Sequence, residues 1–127
     1  MLDFDELHRR GHFVEYRGVR MLLVDGSELR SPDDIDALAA HVGPLIQGEP
    51  RGSVRIALNV SGLRFDRQSI VSIKKIFADS QPWIRASSLV GVAGLQRVLL
   101  QILNQVAKRE RPLFDTVDAA KDWLATQ

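Results

Sequence analysis

The chain has 127 residues, of which 45% are hydrophobic and 26% charged, a balance typical of a folded domain rather than a disordered chain. Its 17 basic and 16 acidic residues leave a net charge of +1, so it lacks the excess of positive charge that nucleic-acid binding requires. The absence of cysteine excludes disulfides, thiolate metal sites and a cysteine nucleophile.

The basic residues of the chain occur in short groups. Such groups, for example Lys108-Arg109 with Arg111, stand beside acidic residues and are interpreted as solvated surface charge.

The N-terminus is acidic where a secretory signal is basic, and no run approaches the ~20 apolar residues of a membrane span. We therefore expect a cytoplasmic protein with one domain over residues 1–127, in which residues 1–11 form a flexible or short structured extension.

The chain opens with a hairpin pattern. Apolar runs at residues 13–16 and 19–24 flank Arg17-Gly18, where glycine supplies the positive φ of a tight turn. Such a hairpin leaves one edge of a sheet free, and free edges pair with a second copy. We therefore expect a homodimer.

Strand and helix patterns then alternate. Ser31 followed by Pro32 predicts the start of a helix, because serine caps and proline fits the first helical position. Alternating apolar residues at 54–60 predict the central strand. Asp66 predicts the N-cap of a second helix that ends before Gln81.

The last third of the chain continues this order. Residues 86–92 predict a buried strand, and Gly94 precedes the clearest helix. The apolar stripe of this helix, which we expect to pack on the sheet, consists of Leu95, Val98, Leu99, Ile102, Leu103 and Val106. Asp115 with Asp118 imitates a capping box and predicts a final helix that ends near Trp123.

Helices that alternate with strands predict parallel strands joined by right-handed crossovers. The sequence therefore predicts an α/β fold. Its sheet is expected to be mixed and mainly parallel, with about five strands, an N-terminal hairpin and about four helices packed against it.

No catalytic constellation is visible in the sequence. The histidines His8, His12 and His41 lack the spacing of a zinc site, and no Gly-x-Ser-x-Gly elbow is present. The segment from Gly91 to Gly94 joins a strand to a helix and would cradle an anion, but it lacks the dinucleotide fingerprint and the P-loop lysine, so we favour a tight turn. We expect no enzyme activity, no metal and no cofactor.

Three segments, residues 53–60, 88–95 and 114–124, resemble the small bacterial proteins classed with STAS domains, the fold of anti-sigma-factor antagonists. Together with the order of elements, the resemblance spans about residues 12–125. It is nearest to the variant group that bridges STAS domains and the CRAL-TRIO lipid-transfer fold. The resemblance implies a STAS-like fold and either a regulatory role or the binding of apolar ligands.

In the usual antagonists an Asp is followed by the phosphoaccepting Ser. If Asp66 is that acidic residue, Arg67 occupies the acceptor position, so the phosphoserine switch is not expected here. Ser61 and Ser69 lie close enough in sequence to replace the acceptor. A serine near a helix terminus, however, usually serves a backbone hydrogen bond, and we favour that role for both.

Two functions follow from this pattern. The first is a regulatory module that docks a partner protein through loops after the strands; its candidate residues are Asn59, Ser61, Asp66, Arg67, Ser69, Gly91 and Gly94. The alternative is a binding module for a lipid or other small apolar ligand, with peripheral membrane association; its candidate pocket wall is Leu95, Leu99 and Ile102. An enzyme would require convergent polar groups near Asn59, Asp66, Arg67 and Gly94.

Overall fold

The computed structural model describes residues 2–94, 96–107 and 111–127. Within these ranges the helices are α1 (Phe4–Arg10), α2 (Pro32–Gln47), α3 (Arg67–Ser80), α4 (Gln96–Ala107) and α5 (Val117–Leu124), with a 3₁₀ turn at Gln81–Trp83. The strands are β1 (Gly11–Tyr16), β2 (Val19–Asp25), β3 (Val54–Asn59), β4 (Ile84–Val90) and β5 (Leu113–Phe114).

The strands form one sheet in the order β1-β2-β3-β4-β5. β1 runs antiparallel to β2, and every other neighbouring pair is parallel. The predicted α/β fold with a mixed, mainly parallel sheet is therefore confirmed, and β3 is its middle strand. Within the described ranges, no helix combines the length and the apolar composition needed to cross a bilayer.

The predicted hairpin is present, and its turn at Arg17-Gly18 has the expected positive φ. Arg17 and Gly18 both have positive φ, 52° and 76°, and they join the directly paired residues Tyr16 and Val19. Two successive left-handed residues make the turn whose twist matches that of a hairpin. The preceding residues, expected only as an extension, include α1, which Asp3 caps by accepting the Glu6 N–H at 2.8 Å.

Both faces of the sheet are covered. One face packs against α2 and α3 and forms the larger core, and the other packs against α5 and forms the smaller core. Met21 and Leu22 show the division, since these neighbours are both fully buried, Met21 in the smaller core and Leu22 in the larger. The alternation of a strand places them on opposite faces.

The expected packing of the clearest helix on the sheet falls largely on residues whose side chains lie outside those described. In the described part of α4 the main contacts are with α3, which together with α2 already covers the larger-core face. Val98, assigned to the packed stripe, is 46% exposed. Leu95 lies outside the described residues, as do the side chains of Leu99, Leu103 and Val106.

The predicted cap of the last helix was wrong by one residue. Thr116, not Asp115, is the N-cap of α5, and its Oγ1 accepts the Ala119 N–H at 3.1 Å. Both residue types cap helices well, so composition alone does not choose between adjacent positions. At α2, Ser31 occupies the predicted N-cap without a side-chain capping hydrogen bond.

Thr116→Ala is expected to lower the free energy of unfolding by about 1 kcal/mol, because the Ala119 N–H loses its acceptor. Asp115→Ala is the matched control and is expected to change stability by less than about 0.5 kcal/mol, since Asp115 is exposed and does not cap. Urea denaturation of the two variants measures the difference. Equal losses would show that Thr116 is not the cap.

Candidate functional site

Three of the predicted interaction residues meet where β3 and β4 end. Asn59 Oδ1 accepts the Ser61 N–H at 3.0 Å, and the Asn59 carbonyl accepts the Gly26 N–H at 2.8 Å. Ser61 lies against Gly91, so closely that a Cβ built on Gly91 would stand 1.8 Å from Ser61 Oγ. Gly91 has φ of 78°, which supports the tight-turn interpretation. These contacts hold the loops to one another.

Asp66, Arg67 and Ser69 form a separate group at the start of α3. Asp66 is the predicted N-cap, and its Oδ1 accepts the Ser69 N–H at 2.8 Å. That bond lowers the pKa of the Asp66 carboxyl, because it favours the ionised form. Arg67 is exposed and Ser69 is fully buried, so the Ser69 hydroxyl is not presented to a kinase. Gly94, with φ of 54°, is exposed before α4.

A different feature lies inside the larger core. A partly enclosed space of about 90 Å³, here called the inner cavity, lies between the sheet and the helices α2 and α3. Its walls are mostly aliphatic and include Val42, Ile46, Ile56, Leu58 and Ile73. Ile102, expected to line a pocket, is not among its described lining residues. The predicted space between helices and sheet thus exists, but α2 and α3 form its helical wall.

Three polar residues are among those that line the inner cavity, whose surface is otherwise almost entirely apolar. Ser80, Ser87 and Arg111 line it, and they are only 3%, 7% and 5% exposed. β4 and β5 pair Leu89 with Leu113 and Val90 with Phe114, so Arg111 precedes the paired part of β5 by two residues. In the described part of the chain, neither Ser80 Oγ nor Ser87 Oγ has a hydrogen-bond partner.

Arg111 is held by contacts from two helices. Its Nη1 donates to Asn104 Oδ1 of α4 at 3.0 Å, and its guanidinium carbon lies 5.2 Å from the centre of the Phe77 ring of α3. Both contacts favour a cation in an apolar layer. The interpretation of Arg111 as solvated surface charge was therefore wrong.

Two of these polar residues also line a second space. A hollow of about 420 Å³, here called the outer hollow, lies beside the first half of β4 and is lined by Arg85, Ala86, Ser87, Arg111, Pro112, Trp123 and Gln127. Ser87 and Arg111 line both spaces.

The described residues contain no group of three or more His, Asp or Glu side chains arranged to hold a metal ion. The comparisons with protein-family models, with curated proteins and with solved structures gave no match. The STAS-like resemblance therefore stays a prediction, and the function is argued from the geometry of this chain.

Gly91→Ala is expected to destabilise the fold by about 1–3 kcal/mol more than Gly52→Ala. Both glycines have positive φ, 78° and 73°, but a Cβ at Gly52 meets nothing within 4 Å, whereas one at Gly91 overlaps Ser61 Oγ. Thermal denaturation of both variants isolates the overlap. Adding Ser61→Gly to Gly91→Ala should recover most of the excess, and no recovery would show that Ser61 is not the obstacle.

Asp66→Asn keeps a capping oxygen but removes the titrating carboxyl. Because the folded-state pKa of Asp66 is lowered from 3.8, its stabilisation is complete above that value and is lost as pH falls toward the folded pKa. The free energy of unfolding of Asp66→Asn should therefore fall less than that of the parent between about pH 5 and about pH 2. Denaturant titrations at each pH, with Asp115→Asn as control, measure this; identical slopes would contradict it.

Proposed function

We propose that the protein is a non-enzymatic binding module for a small apolar ligand, which occupies the inner cavity. The observation that carries the proposal is a cavity of about 90 Å³ with mostly aliphatic walls in the middle of the larger core. Apolar cavities of about 150 Å³ stay dry and bind benzene or xenon. By proportion, this cavity accommodates an aliphatic group of about four carbons.

The energetic cost of the cavity supports this function. Protein interiors are close-packed, and empty volume costs about 24 cal/mol per Å³, so a space of this size destabilises the fold by about 2 kcal/mol. An apolar ligand would recover much of that loss by restoring the missing contacts. Ligand binding therefore explains why the fold contains a cavity that lowers its stability.

A second candidate function is a STAS-like regulatory module that docks a partner protein in the cytoplasm or at a membrane surface. One observation favours it: Val71 on α3 is 68% exposed, and three basic residues of the same helix, Arg67, Lys74 and Lys75, are also exposed. An acidic partner surface would bury the apolar side chain and meet these cations. Such a module would work without a switch at Ser69, which is fully buried. β1, at one edge of the sheet, offers a pairing strand for the expected homodimer.

Ala39→Leu tests the ligand-binding function. Ala39 of α2 lines the inner cavity, so a leucine there is expected to fill it, whereas Ala40→Leu places the same side chain at an adjacent exposed position. Xenon or 1-butanol should shift the methyl resonances of Ile56 and Ile73 in the parent and in Ala40→Leu, but not in Ala39→Leu. Methyl NMR during titration provides the measurement.

The outcomes separate the two functions. Saturable shifts that Ala39→Leu removes would establish the cavity as a binding site, and native mass spectrometry with an organic extract would then show what the purified protein carries. Equal shifts in both leucine variants, or none in the parent, would reject the ligand-binding function. The exposed face of α3 around Val71 would then become the site to examine.

A further inference from the structure

The first strand of the sheet, β1, has an outer edge without a partner strand in the described part of the chain. We propose that this edge pairs antiparallel with β1 of a second copy of the chain, with Val14 opposite Val14 at the two-fold axis. The two five-stranded sheets then form one continuous sheet. This association goes beyond the proposed ligand-binding function and does not depend on it.

The two edges of the sheet differ in length. β1 has six residues and pairs with β2 without interruption from Gly11 to Tyr16, whereas β5, at the other edge, has two residues. Proteins protect edge strands by making them very short or by placing proline, lysine or a bulge in them. β5 is protected by its length, but β1 contains none of these devices. Because only one edge is long enough to pair, association closes at two copies and does not continue into a fibre.

The hairpin turn determines which backbone groups of β1 face outward. In a hairpin with a two-residue turn, the flanking residues, here Tyr16 and Val19, exchange both backbone hydrogen bonds. Bonding to the neighbouring strand alternates along an antiparallel pair, so Val14 also bonds to β2. The N–H and C=O groups of Phe13 and Glu15 therefore point to the outer edge and are left to pair with another strand.

Several symmetric registers bring the outward groups of two β1 strands together, and the residues favour one of them. Pairing Glu15 with Glu15 places like charges opposite each other, which is unfavourable. Pairing Phe13 with Phe13 places Gly11 opposite Glu15, but the Gly11 carbonyl already accepts a hydrogen bond from His41 Nε2 at 3.0 Å. Pairing Phe13 with Glu15 lets both residues exchange backbone hydrogen bonds on each side of the axis, and it places Val14 on the axis.

The charges across this interface are complementary. Within one chain the Arg20 guanidinium carbon lies 4.0 Å from the centre of the Phe13 ring, on the same face of the sheet as Glu15. Since Glu15 of the second copy stands opposite Phe13, its carboxylate approaches the Arg20 guanidinium, and the two-fold axis repeats the contact. Arg20 bonds to Glu49 through Nε at 2.6 Å, which leaves its terminal nitrogens for a second carboxylate. Glu15 is exposed and makes no ion pair within the described ranges.

The opposite face of the pair is apolar at the axis. Val14 packs at the margin of the smaller core and is only partly buried, as are His12 and Tyr16 on the same face. In the described residues the main sheet contacts of α5 are with β3, β4 and β5, away from β1. In the proposed register the two Val14 side chains meet between pairs of His12 and Tyr16, and the contact buries the exposed part of both valines.

Cysteine cross-linking tests the register, because the chain contains no cysteine of its own. Directly opposite residues that do not exchange hydrogen bonds have Cα atoms about 4.5 Å apart, within the range that a disulfide spans. Val14→Cys should therefore oxidise to a covalent dimer of twice the 14.2 kDa chain mass on a non-reducing gel. His12→Cys lies on the same face, but its copy is offset along the strand by roughly 13 Å, so it should stay largely unlinked. Equal cross-linking of the two variants, or faster cross-linking of Phe13→Cys, would overturn the register.

Sedimentation equilibrium tests the association itself. The parent should have the mass of two chains and Glu15→Pro that of one, because proline removes an N–H that faces the second copy and not β2. Glu15→Gln keeps this N–H and should dimerise with a dissociation constant about 2- to 30-fold higher, since two exposed ion pairs are lost. Thermal unfolding checks that Glu15→Pro retains its fold.

Two outcomes would overturn the proposal. One is a parent that has the mass of a single chain even at ~1 mM. The other is a folded Glu15→Pro variant that dimerises like the parent, which would show that the copies associate through another surface. Neither result bears on the inner cavity, which xenon and 1-butanol test separately in Ala39→Leu.

Discussion

The structure depends on one constraint, the need to cover a mainly parallel sheet on both faces. In β2 and β3, neighbouring residues are buried on opposite faces, Met21 with Leu22 and Ile56 with Ala57. Parallel strands also need crossover connections, and these connections supply α2 and α3, whereas α5 follows the last strand. The amount of cover is unequal: in the described residues, α1, α2 and α3 contribute to the larger core, and α5 packs against the smaller core.

The residues on the two faces match this unequal cover. On the face toward α5, small side chains such as Ala57, Ala86 and Ala120 allow the short helix to approach the sheet closely. On the other face, branched side chains of the sheet meet branched side chains of α2 and α3. The inner cavity is the volume that these larger side chains leave unfilled.

Whether the sequence predicted a feature depends on how far apart along the chain the interacting residues lie. The turn at Arg17-Gly18 and the cap at Asp66 depend on residues a few positions apart, so local patterns were sufficient. The burial of Arg111 depends on Asn104 and Phe77, which only the folded chain brings to it. Within its own segment Arg111 looks like another surface cation.

In α/β proteins, ligands commonly bind beyond the carboxyl ends of the strands. Here those ends are occupied by their own loops, since Ser61 lies on Gly91 and Asn59 holds Ser61 and Gly26. The first half of β4 differs, because in the described residues β5 pairs only with Leu89 and Val90. The Arg111 guanidinium carbon lies 5.2 Å from the centre of the Phe77 ring, and Arg111 is one of the residues that line the inner cavity.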